Sequence, residues 1–273
     1  TAGAGNDTIT VATANFDSNH TVTGGTGADS IVISDAGTHI DTDFTNVRTV
    51  ETISYGANHT TLTLGANATT AGINAVTDAG GNSTITLEAG HTNNTNVTVS
   101  TGTDSVVATN YTGALTITVG QDSIASIDTL TGGTGTSDTI ALTTTATALT
   151  NTELANVSAF ENLTVQNDLS NALITLADAN IASGASMTID ATAQTTTNFL
   201  FSAALETNGT VTVNRGASSG NATVTLGSGA DTYTSTSSGI DTVTATAGNN
   251  TITTGAGNDA ITLGTGGDTV TAG

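Results

Sequence analysis

Acidic and amide side chains recur at an almost constant spacing in glycine-rich segments of this sequence. Asp231, Asp241, Asn250, Asp259 and Asp268 follow one another at steps of 10, 9, 9 and 9 residues, and an aliphatic or aromatic residue stands two positions after each. A carboxylate beside the carbonyl oxygens of a tight glycine turn supplies the hard oxygen ligands that Ca²⁺ prefers. The pattern therefore predicts a row of calcium sites, with a weaker one at Asn250, which keeps an oxygen but lacks the charge.

Glycines complete the predicted calcium-binding turns. Those that we expect to belong to the sites are Gly227, Gly229, Gly239, Gly257 and Gly266. Related segments surround Asp7 and Asp29 earlier in the chain, and a copy with one extra residue precedes Asp138. We expect these three aspartates to be metal ligands too, and Asp17 or Asp35 could supply a second carboxylate to Asp29 if the fold brings one of them near it.

The nine-residue spacing also predicts how the ligands line up. One coil of a solenoid takes two such segments, so residues about 18 apart meet on the same side. Asp241 should then lie next to Asp259, while Asp231, Asn250 and Asp268 should form another column. A metal ion would be gripped between neighbouring coils of either column.

The charge balance excludes several functions and makes cations necessary. The 273 residues include 23 acidic and 2 basic ones, which gives a formal net charge of −21. With so few cations, binding of nucleic acid, phosphate or anionic lipid has no electrostatic basis. No apolar run approaches the ~20 residues of a membrane-spanning helix, and the lack of Cys excludes disulfides and thiolate metal sites. Because the acidic surplus opposes folding by self-repulsion, divalent cations are expected to offset it.

The residue types that enzymes of acidic sugars require are scarce. Polysaccharide lyases and epimerases generally use Arg, Lys or His to neutralise and protonate a sugar acid, and this chain has 2 Arg, no Lys and 4 His. His20, His39, His59 and His91 lack the spacing of metal ligands and are expected at the surface. The sequence therefore predicts a protein without enzymatic activity.

Short alternating segments predict strands throughout the chain. Thr alternates with aliphatic residues in segments such as 61–64 and 115–119, which is the period of a half-buried strand. Gly and Asn between these segments supply the backbone conformations that turns need. Helical patterns are poor, and residues 150–159 are the best candidate.

A longer unit occurs twice. Residues 46–53 parallel residues 156–163, so Glu51 and Glu161 occupy equivalent positions. We expect both to be solvated strand residues, with a calcium or repeat-interface role as the alternative. The two copies predict three parts of the chain: a first long repeat of solenoid with calcium-type turns over 1–131, a second long repeat over 132–225, and a calcium-binding β-roll over 226–273.

The tandem segments resemble a known family. Residues 227–270 carry the pattern G-G-x-G-x-D-x-U-x and look like the calcium-binding RTX β-roll repeats of secreted bacterial proteins, although Leu226, Ser238 and Thr254 each replace a glycine. The copies at 24–32 and 132–140, each followed by an Asn-Val…Glu…Ile/Leu strand, are similar to RTX-type S-layer proteins of Gram-negative bacteria. This resemblance implies type I secretion, calcium-dependent folding outside the cell and assembly into a lattice.

These observations predict an all-β fold, a parallel β-solenoid (β-helix or β-roll) with Gly/Asp calcium turns. The alternative is a set of solenoid segments interrupted by a β-sandwich-like domain in the middle of the chain. The expected function is that of a structural segment of a secreted, calcium-dependent, self-assembling bacterial cell-surface layer or filament; the alternative is an extender or ligand-binding region of a giant RTX adhesin.

Ca²⁺ is the expected cofactor. The expected partners are further copies of the same chain in a lattice or filament, and cell-surface polysaccharide is a second candidate. Neither nucleic-acid binding nor membrane insertion is expected.

Overall fold

The computed structural model describes residues 1–56, 61–78, 80–120, 123–125, 127–143, 148–166 and 173–273. They form an all-β parallel β-solenoid. Two compact units are present: unit 1 comprises Thr1–Thr118 and Ile127–Asp138, and unit 2 comprises Val119–Ser126 and Thr139–Gly273. Among the described residues, none of the helices has the length and apolar character to cross a membrane.

Unit 1 consists mainly of short parallel strands. They are β1 (Gly3–Ala4), β2 (Thr8–Val11), β3 (Val22–Thr23), β4 (Gly25–Thr26), β5 (Ser30–Ile33), β6 (Thr38–His39), β7 (Val47–Arg48), β8 (Thr52–Tyr55), β9 (Thr61–Leu64), β10 (Ala75–Asp78), β11 (Thr84–Leu87), β12 (Thr95–Thr98), β13 (Ser105–Val107), β14 (Leu115–Val119) and β15 (Thr129–Thr131). They stack in the orders β2-β5-β8-β10-β12-β14 and β6-β9-β11-β13-β15, with the short pairs β1-β4 and β3-β7 beside them. Single 3₁₀ turns span Thr13–Asn15 and Asp41–Phe44, and the α-helix α1 spans Ala66–Ala71.

Unit 2 repeats this plan. Its strands are β16 (Thr139–Leu142), β17 (Val157–Ser158), β18 (Asn162–Val165), β19 (Leu173–Thr175), β20 (Ser186–Asp190), β21 (Phe199–Ser202), β22 (Thr210–Arg215), β23 (Ala222–Thr225), β24 (Thr232–Ser235), β25 (Asp241–Ala245), β26 (Thr251–Thr253), β27 (Ala260–Leu263) and β28 (Thr269–Thr271). They stack in the orders β16-β18-β20-β22-β24-β26-β28 and β19-β21-β23-β25-β27, and Asp178–Asn180 forms a 3₁₀ turn.

The alternating sequence places one aliphatic column inside each stack. Ile31 pairs in register with Ile53, and Ile53 with Val76, so that equivalent side chains lie directly above one another. All three are buried, while Thr52 and Thr77, which stand beside Ile53 and Val76 in their strands, are only partly covered. A single coil has no such cover for its aliphatic side chains, so each coil depends on its neighbours for burial of its core.

The strands of the middle region also pair in parallel, one coil apart. For example, Thr84 pairs with Ser105 and Val213 pairs with Tyr233. The chain therefore continues the solenoid there, and the β-sandwich alternative does not describe it. The boundaries at residues 131 and 225 remain predictions.

The predicted position of the helix was wrong. Residues 151–156 form turns that lead into β17 rather than a helix, and the α-helix lies instead at Ala66–Ala71. The backbone N–H groups of Ala155 and Val157 donate to the carbonyl oxygens three residues before them, which is the bonding of successive tight turns rather than of an α-helix.

Buried histidines also differ from the prediction. His39 and His91 are 1% and 0% exposed, while His20 is exposed and His59 lies outside the described residues. The His91 ring stacks on Tyr111, and its Nε2 lies 2.8 Å from the Thr95 hydroxyl. Burial lowers the pKa of both buried histidines.

Candidate metal centres

The first column of predicted ligands, Asp231, Asn250 and Asp268, forms in unit 2. Each residue stands directly before a strand of one stack. The Asp231 backbone N–H donates to Asn250 Oδ1 at 3.0 Å, and the Asn250 backbone N–H donates to Asp268 Oδ1 at 3.0 Å. The side chain of one coil therefore caps the backbone of the coil before it.

The second column, Asp241 and Asp259, repeats this contact in the other stack of unit 2. The Asp241 backbone N–H donates to Asp259 Oδ1 at 2.9 Å. Both columns bring together the residues that the 18-residue spacing predicts. Their role as metal ligands remains a prediction.

Glycine is required where the turns of adjacent coils touch. A Cβ atom at Gly266 would lie 1.7 Å from the Gly248 carbonyl oxygen, and the φ angle of Gly266 is +142°. A side chain at this position would force the coils apart. The other predicted glycines also lie in turns that contact a neighbouring coil: Gly227, Gly229, Gly239 and Gly257.

The carboxylates of these turns leave one oxygen for a cation. Among the predicted ligands in the described part of the chain, one oxygen of each of four carboxylates is buried and lacks a hydrogen-bond partner: Asp7 Oδ2, Asp29 Oδ2, Asp231 Oδ2 and Asp241 Oδ2. An uncompensated buried charge costs several kcal/mol. Such an oxygen beside stacked backbone carbonyls fits the ligand preference of Ca²⁺, which when bound supplies the positive charge that these turns lack.

Backbone oxygens are an essential part of this fit. Across the residues that the structure describes, no three Asp, Glu, His or Cys side chains converge as a metal-binding group. A calcium ion held here therefore needs carbonyl oxygens of the glycine turns in addition to one or two carboxylates, which is a ligand mixture that Ca²⁺ accepts.

Glu206 extends the first column and was not found from the sequence. Its side chain is 0% exposed, and its Oε1 accepts the backbone N–H groups of Asn208 and Gly209 at 2.9 and 2.7 Å. Its Oε2 is buried without a hydrogen-bond partner in the described ranges. Burial, together with the charge of Glu206, raises the pKa of Asp231. The charges of these two buried carboxylates thus repel one another.

Arg215 supplies a cation to the second column. It is 2% exposed, and its Nη1 lies 3.4 Å from Asp241 Oδ1. Its Nη2 donates to the Ser218 hydroxyl at 3.0 Å and to the Gly220 carbonyl oxygen at 2.6 Å. The coil before Asp241 has Ala222 at the register position of Asp241 and so offers no carboxylate. A guanidinium therefore stands among the oxygens of this turn, where it neutralises Asp241.

A third column, Asp7, Asp29 and Glu51, lies in unit 1. The Asp7 backbone N–H donates to Asp29 Oδ1 at 2.8 Å, and the Asp29 backbone N–H donates to Glu51 Oε2 at 2.7 Å. Glu51, which was expected to be solvated, is therefore part of the column. Asp17 and Asp35 were predicted for this place, but they cap Asn19 and Thr13 instead.

Two oxygens converge beside Gly24 in the third column. A Cβ atom at Gly24 would lie 2.1 Å from the Thr49 carbonyl oxygen and 2.4 Å from Asp29 Oδ2. Thr49 has a φ angle of +51°, which is strained for a β-branched residue, and Ala159 has +60° at the equivalent place of the long repeat. A strained backbone conformation persists only where the surrounding contacts stabilise it, and such residues are often found at functional sites. Here it brings a carbonyl oxygen next to the Asp29 carboxylate.

Asp138 differs from the other predicted ligands. Its Oδ1 accepts the Leu115 backbone N–H at 2.8 Å, and its Oδ2 accepts the Gly133 backbone N–H at 2.6 Å. Both oxygens therefore hold the turn together.

A comparison with known families identifies the C-terminal repeats. The family model of the RTX calcium-binding nonapeptide repeat (4 copies) matches residues 235–270. The match includes both residues of the second column and two of the first, but not Asp231, Glu206 or unit 1. No curated protein and no solved structure matches the chain. Repeats of this family bind Ca²⁺ and are typical of secreted proteins.

Proposed function

We propose that this chain, whose residues 235–270 match the RTX calcium-binding nonapeptide repeat, is a structural segment of a secreted, self-assembling bacterial cell-surface layer or filament. The observation that carries this proposal is the set of buried carboxylate oxygens between coils, which lack hydrogen-bond partners in the described residues. They make a stable stack of coils conditional on a divalent cation.

Calcium acts on folding through the coil-to-coil contacts. In the first column a carboxylate oxygen caps the coil before it, while the second oxygen of Asp231 is left for the ion. Because a folded turn presents these oxygens together and an unfolded chain does not, the free energy of calcium binding becomes free energy of folding. A chain made where calcium is scarce stays unfolded, and it folds where calcium is abundant.

Calcium also favours assembly. A net charge of −21 makes copies of the chain repel one another. Divalent ions at the surface reduce this repulsion and can link carboxylates of neighbouring copies. The same ion would then rigidify each solenoid and permit its packing into a layer or filament.

The test is negative-stain electron microscopy of the full chain in millimolar calcium and in excess chelator, with far-UV circular dichroism of the same samples. We expect ordered sheets or filaments in calcium, and dispersed chains with a weaker β signal in chelator. An unchanged dichroism spectrum in chelator would contradict calcium-dependent folding.

Matched variants separate the turn carboxylates from charge in general. The double variant Asp259→Asn, Asp268→Asn removes two predicted ligands, and Asp35→Asn makes the same chemical change on an exposed aspartate. We expect the double variant to need more calcium for folding and assembly, and Asp35→Asn to behave as the parent chain does. Rods that fold in calcium but stay monomeric at all concentrations would overturn self-assembly and favour the extender of a giant adhesin.

A further inference from the structure

Unit 1 contains a fourth column, Ser83, Asp104 and Asp128, in the stack opposite the third column. The Ser83 backbone N–H donates to Asp104 Oδ1 at 3.0 Å, and the Asp104 backbone N–H donates to Asp128 Oδ1 at 2.8 Å. The residues immediately precede β11, β13 and β15. Their contacts are therefore those of the calcium-type columns, although no part of this segment lies in the family match.

The turns of this column reproduce those of the matched repeats contact by contact. In the repeats, the Asn250 N–H binds Asp268 Oδ1 at 3.0 Å and Asn249 Oδ1 accepts the Gly267 N–H at 2.7 Å. In unit 1, besides the contact of Ser83 with Asp104, Asn82 Oδ1 accepts the Thr103 N–H at 2.9 Å.

The backbones of adjacent coils also approach one another as closely in this column as in the matched repeats. A Cβ atom at Gly102, where φ is +156°, would lie 2.1 Å from the Gly81 carbonyl oxygen. The corresponding distance from Gly266 to the Gly248 carbonyl oxygen in the matched repeats is 1.7 Å. Both pairs of turns thus bring a glycine of one coil onto a carbonyl oxygen of the coil before it.

The Asp104 carboxylate has an oxygen left for a ligand. Asp104 is 2% exposed, and its Oδ2 is buried without a hydrogen-bond partner among the residues described. Asp78 lies close by, because the Ser83 hydroxyl donates to Asp78 Oδ1 at 2.9 Å while the Ser83 N–H binds Asp104. Asp78 and Asp128 are 3% and 2% exposed.

The buried Asp104 Oδ2 lacks a hydrogen-bond partner in the described residues, and the buried carboxylates of Asp78 and Asp128 are held to the same turns. The two arginines of the chain make contacts elsewhere, Arg48 with the Val47 carbonyl oxygen and Arg215 with Asp241. Desolvated charges of one sign are tolerated when a cation coordinates them.

We infer that the turn at Asp104 is a further calcium site, with Asp104 Oδ2 as its carboxylate ligand and backbone oxygens of the stacked turns completing the shell. Asp78 and Asp128 add negative charge around it. The inference rests on the proposed function only in taking calcium as the ion, and it extends calcium binding from the C-terminal repeats to unit 1.

The test is the number of calcium ions bound by the full chain, measured by equilibrium dialysis. Asp104→Asn keeps the acceptor for the Ser83 N–H and removes the free charge; Asp35→Asn is the exposed control, and Asp259→Asn is the control in the matched repeats. We expect Asp104→Asn to lose one ion, Asp35→Asn to lose none, and Asp259→Asn to lose calcium without affecting the site at Asp104.

Hydrogen–deuterium exchange of the unsubstituted chain gives an independent readout. Calcium should slow exchange of the amides at 82–84 and 103–106, and Asp104→Asn should abolish this protection while leaving that of residues 235–270. If Asp104→Asn fails to fold, Asp104→Ser places in this coil the residue that the preceding coil already holds at the same register, Ser83.

The inference and the proposed function fail separately. An Asp104→Asn chain that binds as many ions as the parent, or a parent chain whose amides at 103–106 ignore calcium, overturns the site in unit 1 alone. A parent chain that binds no calcium overturns both. Loss of one ion in Asp104→Asn supports the site even where no layer or filament forms.

Discussion

Replacing the buried Arg215 with Met tests whether a protein cation holds the second column in place of a metal. Met removes the guanidinium that lies 3.4 Å from Asp241 Oδ1 and leaves a buried carboxylate without its cation. At an effective dielectric constant of about 20, two charges at that distance attract one another by about 5 kcal/mol. Breaking a buried pair by removing one partner typically costs about 3–5 kcal/mol, and we expect a loss of that size in chelator.

Urea unfolding of the full chain in chelator and in millimolar calcium measures this loss. The matched control is Arg48→Met, because Arg48 is exposed and binds backbone carbonyls of its own loop. We expect the control to change the free energy of unfolding by less than about 0.5 kcal/mol. In calcium the loss for Arg215→Met should shrink, since an ion can then neutralise Asp241.

A double variant identifies the cause of the loss. Arg215→Met combined with Asp241→Asn removes both charges and should recover most of the stability in chelator, because a neutral pair leaves no charge uncompensated. The reasoning is refuted if Arg215→Met loses no more stability in chelator than Arg48→Met. It is also refuted if the double variant is no more stable than Arg215→Met alone.

Three further expectations concern glycine, Glu206 and pH. Gly248→Ala should lower the free energy of unfolding in urea by about 2–5 kcal/mol, because the new Cβ adds a forced contact to a left-handed φ. Gly184→Ala, which has a left-handed φ but open space around its Cβ, should lower it by about 1–2 kcal/mol. Equal losses would count against close contact between the coils at Gly248. Glu206→Gln should raise the free energy of unfolding in chelator, because it relieves repulsion with Asp231. In calcium it should lower the stability that the ion adds. A variant that is more stable than the parent chain in both conditions, or less stable in both, would contradict a shared site. Burial raises the pKa of Asp104 from 3.8 to about 6, so in chelator the folded chain retains a proton that the unfolded chain has lost, and stability should fall as pH rises between these values. Asp104→Asn should remove this fall in stability, and identical pH profiles of stability for the variant and the parent chain would contradict the assignment to Asp104.

The sequence predicts the site where the coil length is regular. In the C-terminal repeats the capping partners Asp241 and Asp259 are 18 residues apart, twice the nine-residue period, so the two columns follow from spacing alone. The strands are predicted equally well, because Thr and aliphatic residues alternate with the period of the pleat.

Irregular coil lengths hide the other columns. The capping partners are 22 residues apart for Asp7 and Asp29, 21 for Ser83 and Asp104, and 24 for Asp104 and Asp128. A search for one spacing therefore misses the fourth column. The shortened pattern Gly102-Thr103-Asp104-Ser105-Val106, which matches Gly27-Ala28-Asp29-Ser30-Ile31 at Gly, Asp and Ser, is the signal that could have found it.

Side chains that depend on distant packing could not be predicted from local patterns. His91 is buried because Thr69, Thr95 and Tyr111, from other segments of unit 1, enclose its ring. Glu206 belongs to no repeat and reaches the first column from its own turn, where it accepts backbone N–H groups. Such positions become visible only when the coils are stacked.

The capping contacts also give the solenoid a direction of growth. In the first, third and fourth columns, each backbone N–H is satisfied by a side chain from the coil that follows it in sequence, as in Val211 with Asp231, Asp7 with Asp29, and Ser83 with Asp104. When the C-terminal neighbour of a coil is already folded, the side-chain acceptors for the backbone N–H groups of that coil are in position. When the coil folds before this neighbour, those N–H groups have no acceptor yet. We therefore expect ordering within each unit to propagate from its C-terminal coils towards its N-terminal coils.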